Sequence, residues 1–201
     1  MSVKHYQRKR KWKLREFNKH RPIAEYLIPL IGDKKEVSIL EVGAGPVLTL
    51  GDELPGVDLR ITACDKLAKE YADIYGEVLF PIEFQDMENL TYPDKSFDIV
   101  HCVNALDHTH HPDKALKELV RVAKHFVYLR HNENEGETQK YSGLHRWNIE
   151  LFGDDCRFWN KKREFRLSDF GHWNNQKKRE SFTSYHDHGE QIISIYRISY
   201  D

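Results

Sequence analysis

The stretch Ile39-Leu40-Glu41-Val42-Gly43-Ala44-Gly45-Pro46 decides the fold class of this chain. The apolar run from Val37 to Val42 predicts a buried strand, and Pro46 suits the first turn of a following helix, because a residue there needs no backbone N–H donor. Glycines in such a turn let the backbone approach a ligand closely, and exposed helix amides can receive a carboxylate as readily as a phosphate. The stretch therefore predicts a strand, a ligand-binding turn and a helix.

The rest of the chain alternates strand-like apolar runs with helical patterns, which predicts a mostly parallel sheet in one α/β domain. The predicted strands are Val37–Val42, Asp58–Cys64, Leu79–Phe84, Phe97–Val103 and Phe126–Leu129, and the predicted helices begin near Pro22, Pro46, Lys66 and Asp113. From Gly143 onward, shorter segments predict antiparallel strands at Arg146–Leu151, Cys156–Trp159, Glu164–Leu167, Ser181–Tyr185 and Gln191–Ser199, with turns at Phe152-Gly153-Asp154 and His188-Gly189.

The composition is that of a water-soluble globule with a local excess of positive charge. The chain has 201 residues, 39% hydrophobic and 31% charged, with a formal net charge of -1. Between Lys4 and Arg21, however, Glu16 is the only acid among many lysines and arginines. We therefore divide the chain into a basic N-terminal arm (1–21) and one domain (22–201), whose part 143–201 is a strand-rich substrate or lid region. The arm could meet phosphate, an acidic glycan or a membrane surface, or simply be solvated.

Cysteine usage and the start of the chain predict a cytoplasmic protein without a membrane anchor. Cys64, Cys102 and Cys156 are widely spaced and show no paired C-x-x-C pattern, so neither a disulfide framework nor a zinc knuckle is indicated. The most apolar stretch near the start, Ile23–Ile31, is too short to span a bilayer.

Asp65 sharpens the interpretation of the glycine turn. It ends the second predicted strand, where a carboxylate can accept hydrogen bonds from both hydroxyls of a ribose. The third glycine of the dinucleotide fingerprint is missing, because Leu48 stands at its position, and no Gly-Lys-Ser/Thr follows the turn. The pattern favours a nucleoside ligand without a pyrophosphate.

These features resemble the class I S-adenosylmethionine-dependent methyltransferases of the small-molecule type, from Ile39 to Arg130. The resemblance implies a Rossmann-like seven-stranded, mostly parallel sheet with helices on both faces and extra antiparallel strands near the C-terminus. It also implies S-adenosylmethionine as cofactor and S-adenosylhomocysteine as product. Gln85-Asp86-Met87 is similar to the third-strand motif, in which an acid contacts the adenine amino group and its neighbour packs on the ring. The implied cofactor-binding residues are Glu41, Gly43, Ala44, Gly45, Asp65, Lys66, Asp86, Met87, Asn104 and Ala105.

The segment from Ser96 through His108 and on to Val122 resembles the fourth-strand region of the family most specifically. By that resemblance, Asn104 and Ala105 line the methionine end of the cofactor, whereas Asp107 and His108 face the acceptor. The family's Lys-Pro-Gly-Gly turn before strand five is absent, since Lys124 is followed by His125 and Phe126.

A hydroxyl acceptor must lose its proton, and a histidine with a pKa near neutrality suits that work. His108 is the first candidate for this base, His145 beside Trp147 is the second, and Asp107 could orient either histidine. The alternative is a merely solvated polar loop. No metal site is predicted from the neighbouring histidines, because they lie too close in sequence to converge and show no known ligand spacing. The histidines considered are His108, His110, His111, His186 and His188. Asp98, at the start of the fourth strand, is expected to be structural.

The resulting hypothesis is methylation of an O or N atom of a small polar acceptor, with sugars, glycan precursors or other polar metabolites favoured. Nucleic-acid amino-methyltransferases carry an Asn/Asp-Pro-Pro-aromatic turn, whereas this chain has Asn104-Ala105-Leu106-Asp107 there. Two alternatives stay open: an RNA or protein methyltransferase that docks through the basic arm, and a cofactor-binding protein without catalysis. A monomer or a homodimer is expected.

Overall fold

The computed structural model describes residues 19–76, 79–141, 143–179 and 190–198. Its strands are β1 (Glu36–Val42), β2 (Asp58–Asp65), β3 (Ile82–Phe84), β4 (Phe97–Val103), β5 (Ala123–Asn132), β6 (Asn148–Phe152), β7 (Asp155–Trp159), β8 (Glu164–Arg166), β9 (Trp173–Arg179) and β10 (Glu190–Arg197). The α-helices are α1 (Ile28–Ile31), α2 (Ala68–Tyr75), α3 (Pro112–Val122) and α4 (Glu135–Thr138). Single 3-10 turns are formed by Glu25–Leu27, Leu106–His108 and Leu167–Phe170.

Seven strands form the main sheet, in the order β3-β2-β1-β4-β5-β10-β9. The first five run parallel to one another, and β10 is antiparallel to both of its neighbours. The predicted seven-stranded, mostly parallel α/β fold is therefore confirmed. From β1 the chain adds β2 and β3 on one side and then β4 and β5 on the other, so the strand order reverses between β1 and β4. Ligands of such sheets bind beyond the carboxyl ends of the strands at this switch point.

The central strands are buried because the sheet is covered on both faces. In β1 only Glu36 is exposed, and in β4 no residue is exposed. Such nearly continuous apolar runs are typical of parallel strands with layers on both sides. On one face, α3 buries Ala115, Leu116 and Leu119 in a core cluster. On the other face, the segment before β1 contributes Leu27 and Ile31 to a second cluster.

The prediction of a helix that begins at Pro46 is wrong. Residues 43–57, all of which are described, form an irregular connection between β1 and β2. Gly51 and Gly56 have positive φ angles of 81° and 80°, and Leu48 and Leu50 turn into the core, so the fifteen residues cannot keep a helical repeat.

The N-terminal end of the described chain clasps this connection, and the helix start predicted near Pro22 is therefore also wrong. Pro22 pairs with Glu53 in an isolated parallel bridge. Ala24 donates its backbone N–H to Leu50 O at 2.7 Å, and Asp52 donates to Arg21 O at 2.9 Å. Helical turns begin only at Glu25. We call residues 20–24 the clasp.

The late strands divide between two sheets. β6, β7 and β8 form a separate antiparallel sheet, close to the segments predicted for them. β10 matches the predicted run from Gln191, but the strand Trp173–Arg179 was not predicted. That strand lies at the edge of the main sheet and is mostly polar, so it has no apolar alternation to reveal it. The predicted strand 181–185 and the turn at 188–189 lie outside the described residues.

Two further findings concern the cysteines and the length of the helices. Cys64, Cys102 and Cys156 are buried and carry free thiols. In the described part of the chain, we find no helix with the length and apolar character needed to cross a bilayer.

Candidate cofactor and acceptor site

The glycine turn after β1 sits directly on the end of β2. Gly43 and Ala44 both donate their backbone N–H to Cys64 O, at 2.9 and 3.1 Å. Gly43 and Gly45 have φ angles of 73° and 71°, in the left-handed region that disfavours other residues. A Cβ added at Gly43 would overlap the Cβ of Ala105 and lie 3.3 Å from Met87 Cε. The loops after β1, β3 and β4 therefore meet at Gly43.

Glu41 lies below this turn rather than at its surface. Its side chain is buried, and both carboxylate oxygens accept hydrogen bonds from Thr49, one from the backbone N–H at 3.1 Å and one from the hydroxyl. Burial raises the pKa of Glu41 to about 7, against the opposing effect of these hydrogen bonds. His101 Nδ1 lies 3.6 Å from Glu41 Oε1, but burial lowers the pKa of His101 to about 3, so the contact is not an ion pair at neutral pH. Glu41 braces the connection between β1 and β2.

Asp65 occupies the end of β2 beside the glycine turn. Its Oδ2 accepts a hydrogen bond from Gly45 N at 2.9 Å, and its Oδ1 accepts one from Leu67 N at 2.8 Å. Burial raises the pKa of Asp65, and these two backbone hydrogen bonds oppose the change. Each carboxylate oxygen has two lone pairs, so one remains on each oxygen for a ligand hydroxyl. The geometry thus leaves Asp65 able to accept two ribose hydrogen bonds.

Lys66 and Asp86 join the loops after β2 and β3. Lys66 Nζ lies 2.5 Å from Asp86 Oδ2, and Asp86 Oδ1 accepts a hydrogen bond from Glu88 N at 3.1 Å. Although burial alone would raise it, the pKa of Asp86 is lowered by the hydrogen bond and charge of Lys66. The side chain of Asp86 keeps 35% of its surface exposed. It therefore borders the same edge of the sheet as Asp65.

Asn104 and Ala105 follow β4. Asn104 has a φ angle of 49°, donates its backbone N–H to Arg130 O and accepts a hydrogen bond from Asn132 N through its side-chain oxygen. These bonds hold the turn after β4 against the end of β5. They place Ala105 against Gly43.

Asp107, His108 and His145 come together at this same edge. His145 Nδ1 lies 2.7 Å from Asp107 Oδ2 in a hydrogen bond, and the rings of His108 and His145 pack edge-on with centroids 4.8 Å apart. His108 Nε2 lies 3.5 Å from Asp107 Oδ2 without a hydrogen bond to it or to any other described residue. The pairing of Asp107 with a histidine that the sequence suggested is therefore present, and the hydrogen-bonded histidine is His145.

The two histidines have different electrostatic surroundings. Burial lowers the pKa of His108. Burial acts on His145 in the same direction, but the hydrogen bond to Asp107 and the charge of Glu135 outweigh it and raise its pKa. For Asp107, burial would raise the pKa, and the hydrogen bond from His145 with the charge of His108 lowers it instead. Asp107 therefore stays ionised at neutral pH.

Sequence reasoning missed Glu135 and Arg146. Glu135 Oε2 lies 3.8 Å from His145 Nδ1 and accepts a hydrogen bond from Asn132 Nδ2 at 3.1 Å. Arg146 donates its backbone N–H to Asp107 O at 2.9 Å and its guanidinium to His108 O at 2.6 Å. Glu135 opens a four-residue helix without apolar periodicity, so no sequence pattern marked it. We call Asp107, His108, Glu135 and His145 the acid–histidine cluster.

The other histidines of the loop after β4 do not join the cluster. His110 and His111 donate their backbone N–H groups to Glu88 Oε1, at 2.7 and 3.1 Å, and His111 Nδ1 lies 3.0 Å from Arg163 Nη1. His186 and His188 lie outside the described residues. Asp98 lies elsewhere, at the start of β4, where it ties that strand to Ser38 of β1.

Comparison with known proteins agrees with this architecture. Residues 40–129 match the family model of a methyltransferase domain. This part of the chain is therefore similar to methyltransferase domains. The cofactor of this class is S-adenosylmethionine.

One curated fungal protein is similar to this chain in sequence, and bacterial structures are similar to it in fold. The probable methyltransferase ltbC of Aspergillus luteorubrus is 37% identical over 117 residues, which cover 50% of this chain and 40% of that protein. The match thus spans less than half of that relative's length. The crystal structure of an S-adenosylmethionine-dependent methyltransferase from Clostridium acetobutylicum covers 98% of this chain and 92% of its own, with a TM-score of 0.51 at 12% identity. A methyltransferase structure from Aquifex aeolicus covers 91% and 96%, with a TM-score of 0.49 at 15% identity. The Clostridium structure supports the fold alone.

Proposed function

We propose that this chain transfers the methyl group of S-adenosylmethionine to an oxygen or nitrogen atom of a small polar acceptor. The observation that carries the proposal is the meeting of three loops at Gly43, where Met87 and Ala105 leave no room for a side chain. Asp65 borders that point on one side, and Asp107 follows two residues after Ala105 on the other. A cofactor site and an acceptor site would thus adjoin at one edge of the sheet.

The residues present fit the adenosine half of the cofactor. Asp65 retains a lone pair on each oxygen for the ribose hydroxyls, as the sequence interpretation requires. The thioether of Met87 beside Gly43 is a polarisable surface that suits a purine face. Asp86, held by Lys66, would accept from the adenine amino group. Glu41 would act indirectly, because Thr49 already bonds both of its oxygens.

The cofactor supplies a methyl group on a sulfonium, whose leaving group is already excellent, so the protein's main task is alignment. Asn104 and Ala105 would position the methionine end, since Asn104 is fixed by bonds to β5. Asp107, His108 and His145 would receive the acceptor. The sheet formed by β6, β7 and β8, which lies in the predicted substrate region, would cover it.

The acid–histidine cluster favours a hydroxyl acceptor, because a hydroxyl must lose its proton whereas an amine requires only a proton sink. Three of its members were candidates on sequence grounds: His108 as first choice of base, His145 as second and Asp107 as the group that orients a histidine. The hydrogen bond between Asp107 and His145 supports a shared role for them rather than a role for His108 alone. A polar acceptor such as a sugar suits a site lined by these groups.

The test is transfer of a labelled methyl group from S-adenosylmethionine to fractionated cell extract, with calorimetry of S-adenosylhomocysteine binding on the same preparation. We expect label in the small-molecule fraction. Label in RNA or protein, lost when residues 1–19 are deleted and the clasp is kept, would instead support docking through the basic arm, and steep weakening with salt would accompany it. Tight cofactor binding without transfer to any fraction would refute catalysis. Absence of cofactor binding would refute the whole proposal.

A further inference from the structure

We propose that Asp107, His108 and His145 bind a divalent transition-metal cation at the acceptor end of the site. The inference rests on the proposed function, because the cation would hold an oxygen atom of the acceptor next to the cofactor. One ligand atom of each residue lies within 4.8 Å of the ligand atoms of the other two. Two imidazoles and one carboxylate are a donor set that Zn²⁺, Fe²⁺ and Mn²⁺ accept, whereas Ca²⁺ and Mg²⁺ prefer oxygen ligands alone.

The distances fit a common cation. Nitrogen and oxygen ligands stand about 2.0–2.2 Å from zinc, so two neighbouring ligands of a tetrahedral site are about 3.4 Å apart. His108 Nε2 and Asp107 Oδ2 are separated by 3.5 Å, close to this value. His145 Nδ1 and Asp107 Oδ2 are separated by 2.7 Å and would need to part by less than about 1 Å. One ligand nitrogen of each histidine lies within 4.8 Å of that of the other, so these two would need to approach by at most about 1.4 Å.

The hydrogen-bond inventory gives independent support. His108 Nε2 is buried, yet it has no hydrogen-bond partner among the described residues. Other buried atoms of the described residues share this condition, but His108 Nε2 is the one that lies in the acid–histidine cluster, 3.5 Å from Asp107 Oδ2, where a shared ion would satisfy it. A cation shared with Asp107 would satisfy this nitrogen, because a neutral imidazole offers one lone pair to a metal.

A further carboxylate and the hydrogen bonds around the cluster also support a cation site. Glu135 Oε2, 3.8 Å from His145 Nδ1, brings a second carboxylate to the cluster and could serve as a fourth ligand. Asn132 holds that carboxylate through a 3.1 Å hydrogen bond. Arg146 fixes the backbone of both Asp107 and His108 through their carbonyl oxygens. Such bonds to the ligand residues orient metal sites in proteins.

The cation would define the acceptor as a molecule that presents a hydroxyl oxygen to it, since a bound cation lowers the pKa of such a group. With their nitrogens bound to the cation, the histidines would activate the acceptor through the metal and would not act as the base. The acceptor oxygen would lose its proton to solvent water and form a bond to the methyl carbon, while the carbon–sulfur bond breaks and its electron pair stays on sulfur.

The experiment titrates the full chain, freed of metal with a chelator, with ZnCl2 in a calorimeter. We expect one equivalent to bind, and Asp107→Asn and His145→Gln each to weaken binding at least ~100-fold, more than the 10–100-fold typical of outer contacts. The matched control is His125→Gln, because His125 lies near Asp98 at the opposite edge of the sheet and should leave binding unchanged.

A second measurement needs no variant. Co²⁺ added to the wild-type chain should give the intense visible bands of a four- or five-coordinate site, whereas the weak spectrum of the hydrated ion would overturn the proposal. Zn²⁺ binding that His145→Gln and Asp107→Asn leave intact would also overturn it. S-adenosylhomocysteine titrated into the same samples separates the two hypotheses. If this nucleoside binds and the metal does not, the metal site is refuted and the proposed function is not.

Discussion

A methyl group placed at Gly43 tests whether the loops after β1 and β4 truly touch. In Gly43→Ala the new Cβ would overlap the Cβ of Ala105, and the residue would keep a φ angle of 73°. The left-handed conformation costs about 1–2 kcal/mol, and overpacking adds about 1–3 kcal/mol. We therefore expect Gly43→Ala to lower the free energy of unfolding by about 2–5 kcal/mol.

A second variant removes the Cβ of Ala105, with which the new methyl group would overlap. In Gly43→Ala combined with Ala105→Gly the overlap with the Cβ of Ala105 disappears, and what remains is the backbone strain and the 3.3 Å approach to the flexible end of Met87. The double variant should be more stable than the sum of the single effects by about 1–3 kcal/mol, which is the coupling energy of residues in contact. Gly45→Ala is the matched control: Gly45 has a φ angle of 71° but nothing within 4 Å of an added Cβ, so its effect should simply add to that of Ala105→Gly.

Urea unfolding followed by circular dichroism measures these free energies if each variant unfolds in one cooperative transition. S-adenosylhomocysteine affinity, measured in parallel, should fall with Gly43→Ala and recover partly in the double variant. Additive effects of Gly43→Ala and Ala105→Gly would refute the contact between the two loops, and with it the geometry on which the cofactor site rests.

Three further predictions concern carboxylates. Asp65→Ala should weaken S-adenosylhomocysteine binding by about 1–3 kcal/mol in calorimetry, because ribose hydroxyls lose their acceptor; unchanged affinity would contradict the assignment. Since burial raises the pKa of Glu41 to about 7, its folded form holds a proton more tightly than its unfolded form, so wild-type stability should fall as pH rises from about 4.5 to 7. Glu41→Gln should make the urea midpoint depend less on pH over this range. If the midpoint changes with pH identically in both proteins, the raised pKa of Glu41 is contradicted. At Asp98, burial alone would raise the pKa, but hydrogen bonds from Ser38 and Lys34 lower it to about 2. Stability should therefore be lost as pH falls from about 4 to 2, and Asp98→Asn should cost about 2 kcal/mol at pH 7 in urea unfolding; a loss near zero would show that these bonds contribute nothing.

The sequence predicted best those helices and strands in which apolar residues recur at a regular spacing. β4 has the predicted bounds Phe97–Val103, and α3 begins one residue before the predicted Asp113, because burial on fixed faces leaves a regular trace in the residue order. Pro46 shows the limit. A proline after a strand is equally compatible with a helix and with an irregular turn, and here the buried Leu48 and Leu50 and their contacts with the clasp decided between them.

The candidate site also contains residues that sequence patterns predict and residues that they do not. Asp65 and Asp107 follow strands, and residues at the carboxyl ends of parallel strands can be expected to gather at one edge. Glu135 reaches His145 only through the path of the chain after β5, which no local pattern encodes. Glu41 was expected beside the ligand because of its motif, whereas its partner Thr49 lies eight residues further on, within the connection whose shape was predicted incorrectly.

In the proposed cofactor site, the irregular course of residues 43–57 would change how the two ends of a nucleoside amino acid are held. A helix at this place would aim a row of free amides and a positive pole at the ligand's carboxylate, but here Gly45 N is already engaged by Asp65. We therefore expect weak attraction for the amino-acid tail and discrimination mainly through the sugar and the base. Adenosine analogues that lack the tail altogether, such as methylthioadenosine, should therefore compete for this protein almost as well as the complete product.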